Sequence, residues 1–349
     1  MSFQDFITAL PKVELNLQLT GALRKESLLL IANQNGIPAQ LDDFAHWVEM
    51  LDRPHPERID EIARVVGSWV MYPEDIALVI YDIGVALSKQ NVRYAEVAVA
   101  PSDFIGTARM NFDSFIDALN DGRDRALRAW NVDMSWILCI PRDNPRAGDD
   151  VARWASGSAA RRGNVVAMGL VGPEDVQPVG QFRRAFATAH KKGLFTVASA
   201  GERFGASGIQ EAMDALQPNR LVNAWRIADD DSALNQVLDA GIPLVNSITH
   251  ALKTGQADKA PDIPIQRLLD HNAQLALSCD NPSLYQSSLV DEYVLAHEEY
   301  GIAADTLVQL ARRSIELSFL AAERKENMLR NFDIQANSPQ ARFLDRSQS

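Results

Sequence analysis

Asn16 and Gln18 stand two residues apart in Glu14–Gly21, read E-L-N-L-Q-L-T-G. Side chains alternate faces along a strand. As a strand, this run points Leu15, Leu17 and Leu19 one way and Glu14, Asn16, Gln18 and Thr20 the other. The leucine face suits an outer layer of helices, and the amide face suits a polar interior. Two acids, Glu202 in A-S-A-G-E and Asp280 in S-C-D-N-P, are the candidates for acid–base work. Two carboxylates in one pocket can split their pKa values and divide the two roles. Gly172, Ser199, Asn223 and Asn281 are the other polar or small residues at the ends of strand-like runs.

Eight short runs could position these residues, several of them rich in β-branched side chains. They begin near Val13, Arg93, Met134, Val165, Phe195, Arg220, Ile242 and Gln274, with helix-like stretches between them. Strand–helix alternation is the signature of a parallel sheet, and eight such units predict a (β/α)8 barrel as one domain over residues 1–335. In that fold the C-terminal strand ends build the site. The first two strand starts, at 13 and 93, are 80 residues apart, so a helical insertion of about 40–90 is expected after strand 1. Ser27–Asn33 reads as the first barrel helix. Ile59, Ile62, Val65, Val66, Trp69 and Val70 form an apolar stripe, and Pro73 opens a further helix. Such an insertion lies at the barrel mouth, as a lid or simply packed against it. Val290–Tyr300 and Ala304–Leu320 read as closing helices, and 336–349 as a loose polar tail.

A net charge of −12 over 349 residues argues against nucleic acid or an anionic membrane as partner. Two cysteines without C-x-x-C spacing give no disulfide framework, and no leader or long apolar run is visible, so a cytosolic protein is expected. Six histidines are present, at positions 46, 55, 190, 250, 271 and 297. Of these only His250, after strand 7, falls near a strand's C-terminal end, and a lone loop histidine reads as a surface residue. Cys279 beside Asp280 reads as core packing.

Ordered motifs give this chain a family resemblance. P-K-V-E-L-N-L-Q-L-T-G-A-L from Pro11 looks like the opening of the adenosine and adenine deaminases, P-K-[VA]-E-L-H-x-H-L-[DE]-G-[AS]. Y-A-E-V-A-V-A-P, I-L-C, G-L-V-G-P-E, T-V-A-S-A-G-E, R-L-V-N-A and S-C-D-N-P follow in family order. The resemblance implies the (β/α)8 barrel of the metal-dependent hydrolases and a purine substrate. It also implies one zinc ion held by H-x-H, the histidine of H-A-G-E and the first aspartate of D-D-P. Carried over, the metal positions are Asn16, Gln18, Ser199 and Asp280, the water-orienting position is Asn223, the proton donor is Glu202, and the ring-contacting glycine is Gly172. Asn281 replaces the second aspartate of D-D-P, Ala98 an arginine, and Thr20 the acid of L-[DE]-G.

Three of four ligands and the water-orienting histidine are thus replaced. Catalytic zinc sites use three imidazole, thiolate or carboxylate ligands, and Asp280 alone cannot hold the ion. No cofactor is therefore expected. The leading expectation is a chain that has lost deaminase activity and keeps a purine-type pocket for a binding or regulatory role. That pocket would be lined by Gly172, Glu202, Asn281, Asn16, Gln18 and Ser199. The alternatives are an active purine aminohydrolase, or another hydrolase using Glu202 and Asp280, and a structural partner of an active relative; a homo-oligomer or such a complex stays open. Buried polar groups must be satisfied, so the replacements either bond one another or bond a ligand.

Overall fold

The computed structural model describes residues 2–55, 58–105 and 110–336, so the expected tail lies outside the described residues apart from its first position. Eight strands form one sheet in sequence order: β1 (Lys12–Gln18), β2 (Val92–Val99), β3 (Asp133–Pro141), β4 (Val165–Val171), β5 (Phe195–Ser199), β6 (Arg220–Val222), β7 (Leu244–Asn246) and β8 (Leu275–Leu277). Every neighbouring pair from β1 to β8 is parallel. Helices follow the strands on the outside, giving the (β/α)8 barrel. The strands read as apolar runs because their residues are buried on both faces, as a helix-covered parallel sheet requires.

The seam between β8 and β1 is bridged largely by one carboxylate. Glu14 is fully buried and accepts from the Cys279 backbone N–H at 2.9 Å and the Ser278 hydroxyl at 2.6 Å. Beside it the Gln18 N–H donates to the Asp280 carbonyl at 2.9 Å. Cys279, 1% exposed, packs its Sγ 3.0 Å from the same carboxylate.

The long connection after β1 is helical, with segments at Lys25–Gln34, Phe44–Asp52, Ile59–Gly67 and Pro73–Ser88. Trp69 and Val70 belong to the expected stripe but lie just past the third helix, still buried. Closing helices run over Leu289–Glu298 and Ala304–Leu317. A last helix, Ala322–Ala336, has no counterpart in the sequence reading, because among its residues only Phe332 is buried and it carries no clear apolar stripe.

Inside the barrel, Arg220 on β6 pairs with Glu96 on β2 at 2.6 Å, both side chains wholly buried. The guanidinium also donates to the carbonyls of Leu15 (3.0 Å) and Leu317 (2.8 Å) and lies over the Phe319 ring at 3.9 Å. The pair thereby joins β1, β2 and β6 to the segment after the helix Ala304–Leu317. Removing one member of a buried ion pair leaves an uncompensated charge and costs about 3–5 kcal/mol. Arg220→Met is expected to lower unfolding stability by about that amount in denaturant titrations; a loss under about 1 kcal/mol would show that Glu96 finds other partners.

Candidate active site

The strand ends open into a cavity of about 650 Å³ at the C-terminal mouth, within the range that holds a purine-sized molecule. Asn16, Gln18, Gly172, Ser199, Glu202, Asn223, Asp280 and Asn281 all line it, so the structure brings together every residue singled out from sequence. The cover over the mouth contributes Asp60, Ala63 and Arg64 from the helix Ile59–Gly67. Asn223 and Asp280 stand just beyond their strands at φ of +53° and +56°. Asn and Asp tolerate this left-handed backbone best among residues with a side chain, and it turns both side chains to the barrel axis. At Gly21 a Cβ would stand 1.8 Å from Asn281 Oδ1, so only glycine lets that loop approach.

Asp280 is the hub. Its Oδ1 accepts from Asn16 Nδ2 at 3.0 Å, and its Oδ2 accepts from Asn223 Nδ2 at 3.1 Å. The same Oδ2 lies 2.6 Å from His250 Nδ1. Glu202 accepts from the Ser199 hydroxyl at 2.7 Å, and its Oε1 lies 3.2 Å from His250 Nε2, within Coulombic reach though off the line of a good hydrogen bond. Gln18 reaches Asn16 only at 3.5 Å. The replacements thus bond chiefly to the two acids.

His250 is no surface residue: only 6% of it is exposed, and its ring spans the gap between the two carboxylates. The expectation failed because its neighbours Asp280 and Glu202 are distant in sequence. Burial acts to lower the imidazole pKa, but the charges of Glu202 and Asp280 outweigh it and push it up to about 10. Burial likewise pushes the Glu202 carboxyl up, yet the nearby His250 charge and the hydrogen bond from Ser199 prevail and hold it below its usual range. Glu202 is therefore a carboxylate at neutral pH and takes a proton before it can give one, which reverses the expected order.

The supports of these groups were not read from sequence. Ser247 caps the short helix Ile248–Lys253 by accepting from the His250 N–H at 2.9 Å. Glu292, wholly buried, accepts from the N–H groups of Ile248 (2.6 Å) and Thr249 (3.2 Å) and from the Ser247 hydroxyl (3.2 Å). Tyr285 Oη lies 2.8 Å from His250 Nδ1 and accepts from Asn281 Nδ2 at 3.2 Å. Glu174 fixes the loop bearing Glu202, accepting from Gly201 and Arg203 N–H at 2.8 Å each and from Phe204 at 3.2 Å. The available signals were Ser247 three residues before His250 and the acid that ends G-L-V-G-P-E.

The donor set does not fit zinc. Among the described residues no three His, Cys, Asp or Glu side chains are arranged to hold a metal ion. Asn16, Asn223 and Ser199 present hydrogens, not lone pairs, to the acids.

Barrel, mouth cavity and buried acid–base cluster define a hydrolase-type (β/α)8 barrel. The family model for adenosine deaminase matches residues 11–334, and the chain belongs to that family. It is similar to the aminodeoxyfutalosine deaminase of Streptomyces avermitilis, 27% identical with 94% of this chain and 92% of the relative covered. It is also similar to the adenine deaminase of Chlorobium phaeobacteroides, 25% identical with 92% and 95% covered. The crystal structure of an adenine deaminase from Arthrobacter aurescens shares the fold, with a TM-score of 0.85 at 20% identity over 94% of this chain and 100% of that one. These findings overturn the expected loss of activity, since relatives matched along nearly their whole length are named as deaminases. The expectation equated vacated ligand positions with an idle site and left out His250.

Burial pushes the Glu292 carboxyl up to about 7 despite its three donors. The folded chain therefore holds a proton that the unfolded chain, with an ordinary value near 4.5, has released. Stability contributed by this group is full below about 4.5 and declines as pH rises to about 7. Glu292→Gln is expected to flatten that part of the profile of unfolding midpoint against pH; a profile parallel to the parent's would remove Glu292 as its source.

Proposed function

We propose that this chain is an active aminohydrolase of a purine-type small molecule, replacing an exocyclic amine with oxygen and releasing ammonia. The observation that carries the reading is the buried Glu202–His250–Asp280 cluster facing a purine-sized cavity in a chain of the adenosine deaminase family. The relatives' names, adenine deaminase and aminodeoxyfutalosine deaminase, supply the substrate class. Gly172, Gln18 and Asn281 line the cavity and serve as contacts to the ring.

The ionisation states assign the steps. Glu202, a carboxylate with its Ser199 contact on one side, takes a proton from water as the water oxygen bonds to the amine-bearing carbon and the electron pair of the ring C=N bond moves onto the ring nitrogen. Glu202 then passes that proton to the amine, the pair on the ring nitrogen re-forms the C=N bond as the exocyclic C–N bond breaks with its own pair leaving on nitrogen, and ammonia departs, leaving the hydroxyl form of the oxo product. His250 faces the charge that develops beside Glu202, and Asp280 holds the imidazole in place. Asn16 and Asn223 hold Asp280 in its orientation by donating to its two oxygens.

Among the described residues no helix is long and apolar enough to cross a membrane. The purified chain is to be incubated with adenine, adenosine, AMP and aminodeoxyfutalosine while ammonia and the ultraviolet spectrum are followed. One of them is expected to release ammonia in proportion to protein, and Glu202→Gln is expected to slow it by roughly 10²–10⁴-fold, the usual worth of a general base. A folded chain that deaminates none of the four overturns the proposal.

A further inference from the structure

We infer that His250 takes the place of the family's metal: its ring, seated between Asp280 and Glu202, fills the point where a divalent ion would lie, and the site works without one. The inference rests on the reading above for its catalytic meaning, but its structural content stands apart from any substrate.

Three observations meet here. Two carboxylates, one wholly and one largely shielded from water, face a common point, and a buried anion pair is costly unless a cation or donors lie between them. The imidazole fills that point, with one nitrogen 2.6 Å from Asp280 and the other 3.2 Å from Glu202. The side chains at two of the ligand positions and at the water-orienting position share one sense. A metal needs lone pairs aimed inward, whereas Asn16 and Asn223 aim N–H groups and Ser199 an O–H group at the carboxylates. Replacing lone pairs by hydrogens around an acid removes the cation's seat and supplies part of its charge.

The ring is also built in. Its backbone N–H is tied to Ser247, the helix start that carries it is tied to Glu292, and Tyr285 adds a second partner at Nδ1. A side chain anchored from three directions is a fixed part of the site, which its 6% exposure bears out. Metal and imidazole compete for one place, so a chain that has kept this ring excludes the ion by occupancy.

The test uses the full chain in two ways. Purified protein is equilibrated with excess zinc, desalted and assayed for metal, then dialysed against a strong chelator while its unfolding midpoint and any ammonia release are measured. Far less than one zinc per chain, with midpoint and rate unchanged by chelator, is expected. Stoichiometric zinc, or a midpoint or rate that falls with chelator and returns with zinc, overturns the inference. In parallel, His250→Ala is titrated with free imidazole. The variant is expected to melt several degrees below the parent and to regain roughly 2–4 °C as imidazole refills the gap, with no such gain in the parent. A variant as stable as the parent and indifferent to imidazole also overturns it, and should the variant fail to fold, the metal assay on the unaltered chain still decides. Absence of ammonia with every purine would sink the proposed function alone, since metal content and imidazole rescue do not depend on turnover.

Discussion

Two acids facing one enclosed point must be given a counter-charge, and much of the barrel mouth follows from that requirement. Asp280 and Glu202 come from opposite parts of the strand ring, on the β8 and β5 ends, and both turn inward because their loops leave the strands there. Between them stands His250, delivered by the loop after β7. Asn16 from β1, Asn223 from the end of β6 and Ser199 from β5 then donate to whichever acid is nearest. Five strand ends are thus cross-linked through a single charge cluster. Removing the ring would leave the two acids with neutral donors and, for Glu202, the charge of the buried Arg142 guanidinium, a poorer arrangement in a low-dielectric cavity.

A second ring of buried acids holds the first in position without touching the cavity's chemistry. Glu292 and Glu174 each gather two or more backbone N–H groups from loops that carry His250 and Glu202. Glu14 does the same work at the seam, where the last strand must meet the first. In each case a carboxylate satisfies backbone donors that the irregular loop has left without carbonyl partners, which is what such loops need when buried. Below them the Arg220–Glu96 pair ties β2 and β6 across the interior. The loops at the mouth are therefore tied down by carboxyl groups that accept from backbone N–H groups.

Much of this was legible in the sequence. Strands buried on both faces announce themselves as apolar runs, and all eight fall where those runs begin. Alternation along β1 placed Asn16 and Gln18 on the inner face, and the placing of Glu202, Asn223 and Asp280 followed from the rule that a barrel's site lies at the C-terminal ends of its strands. His250 was not legible, because what makes it functional is contact with residues about 30 and 48 positions away, which no local pattern encodes. The helix Ala322–Ala336 was missed for the opposite reason, since a nearly solvated helix has no stripe to detect. The expected loss of activity was overturned by the relatives named as deaminases and rested on counting replaced ligand positions alone.

The way the amides and the hydroxyl have turned toward the acids also makes the cluster a ratchet. Each of Asn16, Asn223 and Ser199 satisfies a carboxylate oxygen, so changing any one of them to histidine displaces a fitted donor from a buried acid without completing a metal site. Asn223 adds a backbone constraint, because its left-handed conformation at φ +53° suits asparagine better than most side chains. Single steps toward the metal-binding pattern therefore run uphill in stability, and only several concerted changes, together with departure of the His250 ring, would make them favourable. The residues of the cluster therefore depend on one another through the hydrogen bonds they share.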